Sequence, residues 1–334
     1  MRNVTKIGLS ALAGALAMTS ANAGSMSLSG SIEATYTTGS GYSTIGQPFG
    51  MDKELTIKGS KELDNGTGVN YKQTVTDTFS QNDAEIAFVL PTWGTIALTS
   101  AGAPISAIDD VTPTAFEEAN ALLGTIDDVN GADGDTGIRY TLADVAGSGI
   151  TLDAFYTHAH GSGDAHADNA TSGTGAGNGS AWEAVVKGNV PGVEGLAIGV
   201  GYAVLEKHDN TTAAVKQSSI DQDEGTAYVT YAFGPVKVGY QVGAVSTGAN
   251  VLQKHNYAGI SYSVSDNLSV SYNVIDSTQT AADGLRTEQD MDSISASYSM
   301  GGMTINIADS DCSNCAFSAG RSQDATSVSL AVAF

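Results

Sequence analysis

The residues with chemistry to offer are mostly carboxylates. The chain has 334 residues, with 36 Asp and Glu against 14 Lys and Arg, giving a formal net charge of −22. The densest run lies between positions 100 and 136: Asp109, Asp110, Glu117, Glu118, Asp127, Asp128, Asp133 and Asp135. Carboxylates crowded in this way raise the local concentration of cations, more so beside low-dielectric walls. Asp133 and Asp135 could offer hard oxygen ligands to Ca²⁺, but no longer calcium-loop signature surrounds them. A second cluster, His158, His160 and His166 with Asp164 and Asp168, has imidazole and carboxylate donors suited to Zn²⁺ or Cu²⁺. An ordinary solvated loop explains it equally simply. Cys312 and Cys315 form a C-x-x-C pair in a Ser- and Asp-rich stretch, where a disulfide clipping a loop is expected in an exported chain. A redox motif would open a helix after a strand. No Ser/His/acid spacing suggests a nucleophile, so neither enzyme activity nor an obligatory cofactor is expected. The acidity also argues against nucleic acid as a partner.

These groups must be positioned by something, and the chain shows one repeated device. Residues 1–23 read as a secretory signal peptide: Arg2 and Lys6, an apolar stretch from Ile7 to Met18, then Ala21-Asn22-Ala23 before the cut. Removing them strips two basic residues and no acid. Residues 24–334 then alternate apolar and small polar residues with period two, the signature of strands with one apolar face. Leu268, Val270, Tyr272 and Val274 alternate with Asn267, Ser269, Ser271 and Asn273. Thr326, Val328, Leu330, Val332 and Phe334 alternate with Ser327, Ser329, Ala331 and Ala333. About sixteen such stretches run from Ser27–Tyr36 to Asp324–Phe334. Short connections such as Leu63-Asp64-Asn65-Gly66 and Gly234-Pro235 carry tight-turn residues. They alternate with long ones, including Thr37–Asp52, Ser100–Thr136, Ala159–Ser180, Glu206–Glu224, Ser277–Asp290 and Ser310–Gln323.

The alternation predicts an all-β transmembrane barrel. A strand crossing a barrel wall shows lipid one apolar face and the lumen one polar face, so its mean hydropathy is unremarkable; here the mean is near zero. Unpaired backbone groups are excluded from hydrocarbon, so the sheet must close on itself. Charge placement agrees. Lys58, Lys72, Arg139, Lys187 and Lys237 all fall on the face opposite the apolar set, where a hydrated lumen would lie. A solenoid would show a fixed sequence repeat, and none is present.

Four stretches resemble the Gram-negative general porins, most closely the trimeric porins of alphaproteobacteria. They are the hairpin Leu55-Thr-Ile-Lys-Gly-Ser-Lys-Glu-Leu-Asp-Asn-Gly-Thr-Gly, the turn Pro91-Thr-Trp-Gly-Thr-Ile, the strand Gly137-Ile-Arg-Tyr-Thr-Leu, and the terminal strand ending in Phe334. The resemblance implies a sixteen-stranded outer-membrane barrel, usually a homotrimer, with an inward-folded third extracellular loop narrowing a pore for small hydrophilic solutes. That loop corresponds to Ser100–Thr136. Its acidic residues Asp109, Asp110, Glu117, Glu118, Asp127 and Asp128 would face a basic wall of Lys58, Lys72 and Arg139. The family often has an arginine cluster there; this chain offers one arginine, which implies weak cation preference. Thr114 to Leu123 has the apolar spacing of a short helix. Phe334 matches the family's insertion signal, read by the barrel-assembly machinery in a membrane of outer-membrane lipid. Some such porins bind Ca²⁺, which keeps a metal open without locating it. The alternative is a substrate-specific channel for sugars or small organic acids; it would need convergent binding groups such as an aromatic ladder, and few lumen-parity aromatics exist beyond Phe155 and Tyr228.

Overall fold

The computed structural model describes residues 24–41, 47–76, 80–100, 102–158, 160, 179–206, 221–247 and 251–334. The signal peptide expected over 1–23 lies outside them. So do His166, Asp164 and Asp168. The strands are β1 Ser25–Gly41, β2 Phe49–Glu62, β3 Gly68–Thr76, β4 Ser80–Leu90, β5 Gly94–Thr99, β6 Gly137–Leu142, β7 Ile150–Thr157 and β8 Ala181–Asn189. They continue as β9 Leu196–Leu205, β10 Gln222–Phe233, β11 Val236–Thr247, β12 Val251–Ser263, β13 Leu268–Thr280, β14 Arg286–Met300, β15 Met303–Ser313 and β16 Ser322–Ala333. All neighbours are antiparallel and in sequence order, and β1 pairs with both β2 and β16, so the barrel has no edge. This closure is what hydrocarbon demands of a sheet.

Period two sets which side each residue takes. Leu28, Leu98, Val200 and Ile294 point outward and are exposed, whereas their sequence neighbours face the interior. Aromatic residues sit toward the strand ends, including the cross-strand pair Tyr36 and Phe49, with ring centroids 5.0 Å apart. At the seam, Gly30 N–H donates to Phe334 O at 2.7 Å and Phe334 N–H donates to Gly30 O at 2.9 Å. The tight turns use the expected chemistry: Gly66 has φ +80° and its N–H reaches Leu63 O at 2.9 Å, while the Asn65 side chain accepts from Thr67 N–H.

Three expected long connections are shorter than the sequence suggested. The β13–β14 connection spans 281–285, the β15–β16 connection 314–321, and the β1–β2 connection 42–48. The strands continue beyond the point where their outer faces stop being apolar. On β13–β16 those outer positions become acidic: Asp276, Asp290, Asp292, Asp309, Asp311 and Asp324, with Asp292, Asp311 and Asp324 side by side. Backbone pairing persists where alternation in hydropathy has gone, so the hydropathy pattern ends before the strand does.

Residues 100–136 connect β5 to β6, as expected, and fold into the barrel. The helix expected over Thr114–Leu123 shrinks to one turn, α1, Ala119–Leu123. Its start is fixed by the wall: Ala115 N–H donates to Ser271 Oγ at 2.8 Å and Phe116 N–H to Ser295 Oγ at 3.1 Å, holding that backbone out of helical pairing.

Candidate functional site

The inner loop is built against half of the barrel. Large polar side chains on the lumen face of β8 to β14 bond its backbone. On β8, Glu183 accepts from Ile105 N–H at 3.2 Å and Ala132 N–H at 2.6 Å. On β10, Glu224 accepts from Gly131 N–H at 2.7 Å. On β11, Gln241 accepts from Val111 N–H and donates to Ile108 O. On β12, Gln253 accepts from Asp127 N–H at 3.0 Å and donates to Asp127 Oδ2 at 2.6 Å. Asn273 on β13 donates to Pro113 O, and Gln289 on β14 donates to Thr125 Oγ1. Such bonds satisfy loop backbone that would otherwise be buried without partners.

Apolar packing completes the seat. Ile105, Ile108, Val129 and Ala132 of the loop meet Phe155, Val185, Ala203 and Val245 of the wall. Leu123 and Ile126 meet Tyr257, Ile275 and Met291, covered by Cys312 of β15 and by Cys315 and Phe317 of the β15–β16 connection. The structure joins Cys312 to Cys315 by a disulfide, with Cα atoms 5.7 Å apart. Each large side chain buried this way contributes about 1.5–3 kcal/mol. Lumen-facing glycines let the loop lie close. A Cβ on Gly239 would meet Pro113 Cδ at 2.5 Å, and one on Gly259 would meet Pro113 O at 2.9 Å.

The acidic residues of the loop divide into different environments. Asp110 and Asp127 are exposed to the lumen. Asp109 is partly buried beside Asp110, and burial first, then the neighbouring carboxylate, pushes its pKa up to about 9. Asp128 accepts from Asn120 Nδ2 at 2.7 Å, and burial raises it to about 6. Glu118 has a structural task as the N-cap of α1, accepting from Asn120 N–H at 2.9 Å and Ala121 N–H at 2.8 Å. Burial still raises it to about 8, against those two bonds. Glu117 is partly buried, and its carbonyl accepts from Thr114 Oγ1. Among the described residues, no three His, Cys, Asp or Glu side chains are grouped to hold a metal ion. His160 is buried with Nε2 2.7 Å from Glu206 O.

The arc from β1 to β7 bonds the loop near its two ends, Ser100 to Ala84 on β4 and Thr136 to Thr157 on β7, and the three basic candidates lie there. Arg139 on β6 is held by Asp153 on β7: Nε donates to Oδ1 at 2.9 Å and Nη2 to Oδ2. Lys72 on β3 lies 3.6 Å from Asp83 on β4. Lys58 on β2 stands directly across from Lys72 in the register and is exposed. The lumen-parity aromatics do not form a ladder. Phe155 is buried beneath the loop, and Tyr228 packs at the edge of the same cluster.

A closed sixteen-stranded barrel with an acidic loop docked inside is the geometry of a channel. A sequence model of the Gram-negative porins matches residues 8–333. The chain belongs to the Gram-negative porins. No curated protein sequence matches it at a significant level. Among solved structures, this porin is similar in fold to OmpF of Salmonella typhi in complex with daunomycin, at TM-score 0.68 and 11% identity over 93% of this chain and 98% of that one. An anion-selective porin from Comamonas acidovorans matches at TM-score 0.65 and 16% identity, over 93% and 100%. The trimer form of OmpT from Vibrio cholerae matches at 0.62 and 10%, over 94% and 100%. The porin is thus an outer-membrane channel protein of a family and fold that conduct rather than catalyse.

Sequence reasoning missed the seat of the loop. Glu183, Glu224, Gln241 and Gln253 were visible as large polar residues at lumen positions. Ile275 and Met291, register partners on β13 and β14, break the parity that reserves apolar residues for lipid. Asp153 was missed too, although it has lumen parity and lies diagonally across from Arg139.

Proposed function

We propose that this porin is a general diffusion channel for small hydrophilic solutes and ions, with weak cation preference. The observation that carries this reading is the one-sided seat of the inner loop. Because residues 100–136 are bound to β8–β14, Asp110 and Asp127 border the space left beside β1–β7. Across that space Arg139 and Lys72 each have a carboxylate partner. The field in a low-dielectric passage then favours cations, and opposed charges orient dipolar solutes and penalise apolar ones. Ser, Thr and Asn on the lumen face keep the passage wet. The sign of charge therefore differs from that expected of the anion-selective Comamonas relative. A homotrimer is the assembly proposed, in line with the trimer form of the Vibrio neighbour, with the barrel outer face in outer-membrane lipid. Residues 1–23 would direct export, and the terminal strand ending in Phe334 would be read by the barrel-assembly machinery.

Reversal potentials across a planar bilayer in a KCl gradient test the reading. A cation-to-anion permeability ratio above one is expected, with no saturable block by sugars or small organic acids. An anion-selective current would overturn the preference, and saturable block would overturn the general pore.

A further inference from the structure

We propose that Asp153 sets the sign of this porin's charge selectivity by cancelling Arg139 within the wall. This rests on the reading of the chain as a cation-preferring channel and assigns the residue that makes it one. Arg139 is the only arginine on the expected basic wall, and its guanidinium is fixed in a two-point grip by Asp153. Planar bidentate pairing of this kind is the strongest geometry available to the two groups. Thr141 Oγ1 donates to Asp153 Oδ1 at 3.1 Å, so the carboxylate is held from a second direction. The Asp153 side chain is 2% exposed, whereas that of Arg139 is 21% exposed. The carboxylate therefore lies behind the guanidinium, and the lumen meets a cation whose charge is matched at contact distance. Seen from a passing ion, the pair has no net charge, and the carboxylates of the inner loop are left without an equal opponent. Asp153 acts through Arg139 and is a positioning residue.

The test is the permeability ratio in a KCl gradient for four channels: wild type, Asp153→Asn, Arg139→Gln and the double variant. Asp153→Asn keeps the size of the side chain and releases one positive charge onto the lumen wall. A unit charge within several ångströms of the ion path changes the ratio by about threefold or more, so the ratio should fall by that factor. The double variant replaces a neutral pair by a neutral pair and should return to the wild-type ratio, a result that a purely structural role for Asp153 does not produce. Arg139→Gln removes the cation and leaves the Asp153 carboxylate behind it, so the ratio should not fall below wild type. An Asp153→Asn ratio equal to wild type, or a double variant that stays at the Asp153→Asn value, would overturn the proposal. Should Asp153→Asn not assemble, the double variant decides alone: a wild-type ratio supports cancellation, and a threefold rise shows that Arg139 had been acting as a free cation. The wild-type ratio itself reports on the cation preference separately.

Discussion

Asp109, Glu118 and Asp128 show how one acidic stretch can hold carboxylates that behave differently. All three titrate above the usual carboxylate range because burial disfavours their charged forms, and they do so at about 9, 8 and 6 respectively. Burial thus favours the protonated forms of Asp109 and Glu118, which makes the lumen less negative than the composition implies. Raising the pH removes those protons and adds negative charge beside the passage. The cation-to-anion permeability ratio is expected to climb stepwise between pH 5 and pH 9.5, measured as reversal potential at fixed ionic strength. A flat profile would show that these carboxyls do not reach the ion path. Stability runs the other way. A carboxyl with a raised native pKa leaves the docked loop fully stable below the unfolded value, near pH 4, and costs stability as pH rises through the native value. Hydrogen exchange of the loop backbone should accordingly quicken from pH 4 to pH 9, after correction for intrinsic exchange. Glu118→Ala removes the cap of α1 and should cost about 1 kcal/mol locally, seen as earlier loss of loop protection with no change in the barrel.

At the scale of elements, the strands were legible and the loop's docking was not. Sixteen stretches of period two correspond to sixteen strands, because alternation is imposed on each strand by lipid outside and water inside. Ends were misjudged on β13–β16 because Asp276, Asp292, Asp309 and Asp324 remove the hydropathy contrast while leaving the backbone ladder intact. The inner loop was legible in position and acidity, but its large polar partners were spread over six strands. No local pattern brings Glu183, Gln241 and Gln289 together; only the closed barrel does. The basic wall was read from parity alone, and parity cannot say that Arg139 already has Asp153. Glu183→Ala should release the two loop N–H groups it holds. Leaving them unsatisfied costs about 1–3 kcal/mol each, and single-channel recordings should show a noisier current with transient changes in conductance. A quiet current indistinguishable from wild type would mean that the apolar seat holds the loop unaided.

For the whole molecule, closure is the condition that makes the rest possible. The first and last strands pair from Ser31 and Ala333 to Gly41 and Gln323, and Gly30 and Phe334 extend the seam by exchanging two backbone hydrogen bonds. Deleting Phe334 removes both and takes away the exposed aromatic ring just beyond β16. The expected outcome is a several-fold lower yield of heat-modifiable folded barrel on electrophoresis, with normal conductance in the molecules that do fold. Unchanged yield would show that neither the seam contact nor a terminal recognition signal limits assembly. The closed wall also means that the loop docks on a rigid surface, so its placement is set by what stands behind it. At Gly239 an added Cβ would press on Pro113, and at Gly259 on the Asn273 amide that bonds Pro113 O and then on that carbonyl. A single carbon there would act as a shim, moving the loop toward β1–β7 by a fraction of an ångström. The aperture of this channel can thus be retuned from positions that no permeating solute ever touches, and inherited variation at two residues without side chains would change what the cell admits while leaving every charge in the passage as it was.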